Sequence, residues 1–297
     1  MTLSPIILFV YNRPEETEKT LNALRQNFLA ESSDLYIFSD AAKNESSEQK
    51  VRQVREIIAS VEGFKSVTTV IAPENKGLAK SIIDGVTTVL EKYGRAIVLE
   101  DDLITSPNFL SFMNQALNLY ENNKQIISIS GHTFRVAIPK DYEYDVYFTC
   151  RLSSYGWGIW LDRWETIDWE VKDYNSFRWN LKKNLQFMLG GEDLPRMLAA
   201  YMKGKISSWS IRVAYHQFKT QTCTVYPTAS KLDNIGYNTK GTNTTRRKIF
   251  DKIDFQPSNQ ETFRFPENVV LNKKINRSFL KKYRIINRII AKYLIIK

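Results

Sequence analysis

Residues 96–104, Ala-Ile-Val-Leu-Glu-Asp-Asp-Leu-Ile, form an apolar run that ends abruptly in three consecutive acids. An aliphatic run with no polar face is the pattern of a strand buried on both sides, as in a parallel sheet covered by helices. Glu100, Asp101 and Asp102 then fall at the strand's C-terminal edge, where open α/β sheets place their ligand crevice. Adjacent carboxylates repel one another, so a compensating cation is expected. A hard divalent ion, Mg²⁺ or Mn²⁺, is the simplest one and leaves coordination positions open for phosphate oxygens. The alternative is a solvated acidic turn.

The surrounding sequence supports a sheet. Strand-like segments at 5–11, 35–39, 67–72, 96–99 and 126–130 alternate with helix-like ones at 14–27, 46–60, 78–92 and 107–122. Pro14 suits a first helical turn. Such alternation implies an α/β fold with a mostly parallel, Rossmann-like sheet flanked by helices and right-handed crossovers. After Gly131 the rhythm breaks, and residues 132–240 contain all six tryptophans. The chain divides into a domain over 1–245 (halves 1–131 and 132–245), a polar connective segment over 246–272 and a basic tail over 273–297.

The 297 residues, 43% hydrophobic and 12% aromatic, can bury a large core. Cys150 and Cys223 make no Cys-x-x-Cys pair, which argues against a disulfide scaffold or a thiolate zinc site and fits a reducing compartment. With only His132 and His216, a histidine-rich metal site is excluded. The apolar stretch 6–10 has no basic segment before it and is cut short by Asn12 and Arg13, so it reads as a strand, not a signal peptide. No run approaches the roughly 18 apolar residues of a membrane span. A cytoplasmic catalytic part is expected.

The net charge of +10 is a property of the tail. Residues 273–297 carry nine cations and no acid; removing those nine leaves +1 for the rest. Within the tail, Lys274, Arg277, Lys281, Arg284, Arg288 and Lys292 recur at steps of three and four. Ile275, Phe279, Ile286, Ile290 and Tyr293 run parallel to them. An amphipathic helix of this kind suits an anionic membrane surface, here the inner face of the cell membrane; the alternative is a terminal helix docked on its own domain. A near-neutral body offers no continuous basic surface for nucleic acid.

Neither Gly-x-Gly-x-x-Gly nor a Gly-Lys-Ser/Thr loop follows the first strand, which disfavours dinucleotide enzymes and P-loop NTPases. Polar residues instead end successive strands: Asn12 and Arg13, then Asp40, then Asn75-Lys-Gly77, then the acidic triplet. An aspartate for a base N–H, an arginine for phosphate and a metal-binding carboxylate suit a nucleotide diphosphate.

These residues carry a family resemblance. Pro5-Ile-Ile-Leu-Phe-Val-Tyr-Asn-Arg13, Phe38-Ser-Asp40, Asn75-Lys-Gly-Leu-Ala79 and Val98-Leu-Glu-Asp-Asp-Leu103 resemble GT-A-fold glycosyltransferases. The similarity is to bacterial family 2-like sugar transferases and the N-acetylglucosaminyltransferase I group. It extends through Tyr155-Gly-Trp-Gly-Ile-Trp160, Tyr226-Pro-Thr-Ala-Ser230 and Asn234-Ile-Gly236. The resemblance implies that Asp102 contacts the divalent ion, Glu100 the ribose, and Asp101 the sugar or the ion's water shell. It implies that Asp40 reads the base, that Arg13 lies against the nucleotide, and that Tyr11, Asn12 and Lys80 are nucleotide-sugar contacts. Gly236 would open a lid over 236–245, a stretch that is itself small, polar and turn-prone.

Inverting transfer is likewise implied, and it needs a base for the acceptor hydroxyl. The family places a carboxylate just before a tryptophan; here Ile206-Ser-Ser-Trp209 has Ser207 instead, which cannot take that proton unaided. Asp193, with Glu192, is the substitute candidate, against the plain reading of an acidic helix N-terminus. Trp157, Trp160 and Trp164 fall at helical core spacing. Trp160 and Trp164 read as core, while Tyr155 and Trp157, at the expected helix start, read as acceptor-side aromatics.

The expectation is therefore a metal-dependent glycosyltransferase moving a hexosyl or N-acetylhexosaminyl group. Its donor would be a nucleotide-diphosphate sugar, a UDP-sugar first among them, and its acceptor a cell-surface glycan or lipid-linked molecule. The rivals are a sugar nucleotidyltransferase and a non-catalytic glycan- or membrane-binding protein that keeps the transferase fold.

Overall fold

The computed structural model describes residues 3–236, 255, 257–285 and 287. Its first half follows the expected alternation: β1 (Ile6–Val10), α1 (Pro14–Arg25), β2 (Asp34–Ser39), α2 (Glu45–Ala59), β3 (Ser66–Ile71), α3 (Leu78–Tyr93) and β4 (Arg95–Glu100). These four strands pair in parallel in the order β3-β2-β1-β4. All five residues of β1 and the first five of β4 are buried, as a strand covered on both faces requires. β3 forms the edge and is largely exposed.

Beyond β4 the sheet turns mixed. The later strands are β5 (Leu103–Thr105), β6 (Ile126–Ser130), β7 (Val146–Thr149), β8 (Trp157–Trp160), β9 (Cys223–Pro227) and β10 (Leu232–Asn234). The eight-stranded sheet runs β3-β2-β1-β4-β8-β6-β9-β7, so both halves of the chain build one sheet. β8 pairs antiparallel with both β4 and β6, which separates two strands that alternation alone would place side by side. β5 and β10 form a separate antiparallel pair at the crevice edge.

The tryptophan spacing misleads as to helix. Residues 157–160 are a strand, so Trp157 and Trp160 point to opposite faces. Trp160 joins the core under α1, α2 and α4 (Phe109–Leu119), and Trp157 joins the core under α3. Gly158 lets α4 approach the strand: an added Cβ would lie 3.1 Å from Leu117 and Met113.

Five helices elaborate the second half: α5 (Leu161–Trp164), α6 (Tyr174–Arg178), α7 (Leu181–Phe187), α8 (Leu194–Met202) and α9 (Trp209–Thr220). The last four build a satellite core around Phe177, Phe187, Leu198 and Tyr215.

The segment after residue 256 is more than connective. Its backbone accepts hydrogen bonds from Asn108, Gln115 and Tyr120 at 3.0, 2.6 and 2.7 Å, and Phe263 packs edge-on against Phe112. It straps α4 to the sheet.

Over α10 (Lys273–Leu280) the tail takes the alternative arrangement. Ile275 and Phe279, part of its apolar stripe, are buried against Phe134, Tyr147 and Tyr226, so this stretch docks on its own domain. Asn272 caps it by accepting from the N–H groups of Lys274 and Ile275. Ile286, Arg288, Ile290, Lys292 and Tyr293 lie outside the described residues. Among the described residues no helix is long and apolar enough to cross a membrane.

Candidate functional site

Parallel pairing of β1 with β4 brings the chain after Val10 beside Glu100. Arg13, at the N-cap of α1, reaches across and donates to Asp102 Oδ2 at 2.7 Å and to Asp101 Oδ1 at 3.5 Å. The Tyr11 N–H donates to Asp101 Oδ2 at 3.3 Å, and Thr20 Oγ donates to the Asp101 carbonyl at 2.9 Å. Arg13, Glu16, Thr17 and Thr20 fall at i, i+3, i+4 and i+7, so one face of α1 turns its polar groups to the triplet. Glu16 is buried there and makes a fourth acid.

Asp101 and Asp102 thus share one guanidinium, with Glu16 and Glu100 adding charge nearby. Burial pushes Glu100 up to about 8, with Asp102 and Asp101 adding repulsion. Burial also pushes Asp101 up to about 7 against the pull of Arg13. Asp102 is raised too, again chiefly by burial. Burial would lower Arg13, but Asp101 and Asp102 outweigh it and hold its pKa above the ordinary value.

Carboxyl groups whose ionised forms are disfavoured by burial and mutual repulsion fit a hard divalent cation, which would favour those ionised forms. Among the described residues no three acidic, histidine or cysteine side chains converge into a cage. Asp101 and Asp102 offer carboxylate oxygens of the type that Mg²⁺-like ions accept alongside water and phosphate oxygens.

Asp102 is clasped from its other side by residues far along the chain. The Ile235 N–H donates to its carbonyl at 2.9 Å, and Asn234 Nδ2 approaches its Oδ1 at 3.5 Å. Gly236 donates its N–H to Asn234 Oδ1 at 2.9 Å, and a Cβ on Gly236 would fall 2.1 Å from Asp102 Oδ2. A side chain at 236 would have to displace the Asp102 carboxylate. The rest of the expected lid lies outside the described residues.

Asp40 stands at the end of β2, about 10 Å across the sheet from β4 at ordinary strand spacing. Its Oδ1 accepts from the N–H groups of Ala41 and Lys76, both at 2.9 Å. Its Oδ2 accepts from the Gly77 N–H at 2.9 Å and Asn75 Nδ2 at 3.1 Å. The carboxylate that the family resemblance assigns to base reading here holds loop 75–77 against the strand ends. Asp40→Ala leaves those donors unpaired and should cost about 1.5–3 kcal/mol of stability, read from urea denaturation. A loss under about 0.5 kcal/mol, the scatter of ordinary surface substitutions, would contradict that anchoring role.

Tyr11 holds the start of α2: its hydroxyl accepts from the Lys43 N–H at 3.0 Å and donates to Ser47 Oγ at 3.3 Å. Asn12 is half-exposed between the two clusters. Lys80 is brought to neither cluster. It pairs with Asp84 at 3.1 Å on the outer side of α3, its side chain 64% exposed.

On the acceptor side, Tyr155 precedes β8 at the same sheet edge as the triplet, its ring 5.1 Å from that of His132. Trp157 does not face the crevice. It is 1% exposed and stacks on Trp209 and Trp164 at 4.7 and 5.8 Å. Trp160 and Trp164 are core, as their spacing suggested.

Asp193 lies behind the Gly190-Gly191 turn, where Arg151 grips both its oxygens at 2.9 and 3.1 Å. Glu192 Oε2 accepts from the Ile285 N–H at 2.7 Å. A carboxylate held at both oxygens by a guanidinium serves poorly as a proton acceptor. Ser207 lines a shallow hollow with Glu170, Tyr201 and Ile206, while Ser208 caps α9 by accepting from the Ile211 N–H at 3.3 Å.

Sequence reasoning missed Glu16, Thr20 and Asn234. The helical spacing from Arg13 was an available signal for the first two. Asn234 stood only within the resembling segment Asn234-Ile-Gly236, and its contact with Asp102, 132 residues away, had no signal of its own.

No family model matches the chain, and no curated protein sequence matches it. Among solved structures it is similar to residues 1–349 of S. aureus TarS, with 10% identity over 80% of this chain and a TM-score of 0.42. That match covers 61% of the TarS chain, so this chain spans less than two thirds of its length. It is also similar to the mannosyltransferase PcManGT from Pyrobaculum calidifontis, solved with GDP-Man and Mn²⁺: 11% identity, 73% of this chain, 74% of that one, TM-score 0.37. The galactosyltransferase LgtC, solved with donor and acceptor sugar analogues, matches at 8% identity over 74% of this chain and 72% of its own, with a TM-score of 0.40. At these scores the likeness carries no residue role across.

Proposed function

We propose that the chain is a divalent-metal-dependent glycosyltransferase of the GT-A type that takes a nucleotide-diphosphate sugar, a UDP-sugar first among the candidates. The observation that carries this reading is the pairing of Arg13 with Asp101 and Asp102 at the C-terminal ends of β1 and β4, with Glu16 and Glu100 close enough to act on them electrostatically. A binding site for a metal–diphosphate pair needs such a surplus of anionic oxygen for the ion and a fixed cation for the phosphates.

Asp102 would hold the ion, with Asp101 and Glu100 beside it. When bound, the ion supplies Lewis-acid stabilisation of the departing diphosphate. Arg13 keeps Asp102 oriented and places a permanent positive charge where the diphosphate's negative charge lies. Tyr11 and the Asp40-anchored loop shape the nucleoside end, and Tyr155 borders the acceptor end. The acceptor in this reading is a cell-surface glycan or lipid-linked molecule met at the cytoplasmic membrane face.

Calorimetric titration with UDP, GDP and CMP, each with and without Mn²⁺, tests the reading. One nucleotide diphosphate should bind only with Mn²⁺; binding of none would overturn the proposal. Gly236→Ala should keep the fold yet weaken Mn²⁺-dependent binding by about 10-fold, because its methyl displaces the carboxylate of Asp102. Unchanged affinity in that variant would contradict the placement of Asp102 at the ion.

A second reading is a donor-binding protein without turnover. It is favoured by Ser207 at the expected base position together with the engagement of Asp193 by Arg151. Nucleotide-sugar binding with neither transfer nor hydrolysis would select it.

A further inference from the structure

We propose that α6, α7 and the turn after them form a docking surface for an anionic phospholipid bilayer, independent of the donor-site reading. Trp179, Leu181 and Leu189 are 79%, 74% and 71% exposed, the highest values of any large apolar side chain among the described residues; Leu185 is 56% exposed. Leu181, Leu185 and Leu189 recur every four residues and so share one side of the helix and its continuation. The other side is already packed. Phe177 and Phe187 meet Tyr215, and Asn184 Nδ2 donates to the Phe177 carbonyl at 2.9 Å. The exposed stripe is therefore not the half of this element that the domain uses.

Charge identifies the occupant. Arg178, Lys182 and Lys183 interleave with the apolar residues, and residues 174–191 contain no acid. The Arg178 guanidinium lies 4.5 Å from the centre of the Trp179 ring. Protruding apolar side chains among cations, with a tryptophan at their edge, have the composition of segments that lie in a membrane interface. The apolar tips protrude, so a protein partner would need a concavity shaped to receive them. A bilayer needs none: the tips enter the acyl boundary and the cations meet lipid phosphates.

A distant part of the chain converges on the same place. A Cβ on Gly191 would lie 3.3 Å from Tyr283 Cβ, and the Ile285 N–H bonds to Glu192. Exposed Lys281 and Arg284, with Ile285 at 50% exposure, thus stand beside the end of the α7 turn. Glu192 is the acid bordering the patch there, and its carboxylate is occupied by that backbone bond. The docked start of the tail extends the basic rim, while the apolar anchors come from α6–α7.

Co-sedimentation of the full chain with phosphatidylcholine vesicles, with and without phosphatidylglycerol, tests the proposal. Two variants on exposed positions accompany it: Trp179→Ser with Leu181→Gln and Leu185→Gln, and Lys182→Gln with Lys183→Gln. The parent should bind the phosphatidylglycerol vesicles strongly, the pure phosphatidylcholine vesicles weakly, and less at high salt. At about fivefold per cation, the lysine pair should lower partitioning roughly 25-fold. The apolar triple should lower it at least about tenfold with an unchanged circular dichroism spectrum. Equal binding of parent and variants, or no binding to phosphatidylglycerol vesicles, would overturn the proposal. So would a dimer in sedimentation velocity that the apolar triple disperses, since a second copy would then be the occupant.

Discussion

Asp102→Ala is expected to weaken Mn²⁺-dependent nucleotide binding by more than about 100-fold, the upper end of what losing an outer-shell support costs a metal site. The fold should survive. The substitution removes one charge-assisted bond from Arg13, worth about 1.5–3 kcal/mol. It also removes one of the mutually repelling carboxylates at the end of β4, which offsets part of the loss. Arg13 keeps Asp101 as a partner at 3.5 Å. A urea midpoint near that of the parent, together with lost binding, would assign Asp102 to the ion. Full affinity in the variant would remove Asp102 from the site.

The largest stability effect is expected at the other ion pair. Side chains of Arg151 and Asp193 are only 11% and 8% exposed, and the guanidinium lies 3.6 Å from the centre of the Tyr283 ring. Removing either partner strands the other charge in the interior, so Arg151→Ala or Asp193→Ala should cost about 3–5 kcal/mol. The double replacement Arg151→Met, Asp193→Leu should recover most of it, because matched apolar residues leave no unpaired charge. Urea denaturation of all three variants checks this. A single-variant cost under about 1 kcal/mol would mean that the pair is solvated, and would reopen Asp193 as a base for the acceptor hydroxyl.

The parts legible in the sequence were those encoded locally. An apolar run broken by Glu100-Asp-Asp102 can be read without knowing any neighbour, and so can the alternation of β1 to β4 with α1 to α3. Trp157 to Trp164 misled because four residues of strand followed directly by a helical turn imitate one helical stripe. Only pairing with β4 and β6 shows that residues 157–160 are extended. The tail was ambiguous for another reason. Periodicity reveals that Ile275 and Phe279 share a side, not whether protein or lipid covers it. Asp40 was placed at the right strand end, yet its bonds to Lys76, Gly77 and Asn75 depend on how the β3–α3 loop returns. Asn234-Ile-Gly236 was legible as a segment through the family resemblance, but its clasp on Asp102 joins the two halves of the chain and could not be read from it.

The most direct test is diffraction at the manganese absorption edge from crystals grown with Mn²⁺ and UDP. The account predicts an anomalous peak beside the Asp102 carboxylate, with the diphosphate in contact with the same ion and Arg13 alongside. A peak away from the β4 end, or UDP bound with no manganese near Asp102, would contradict it.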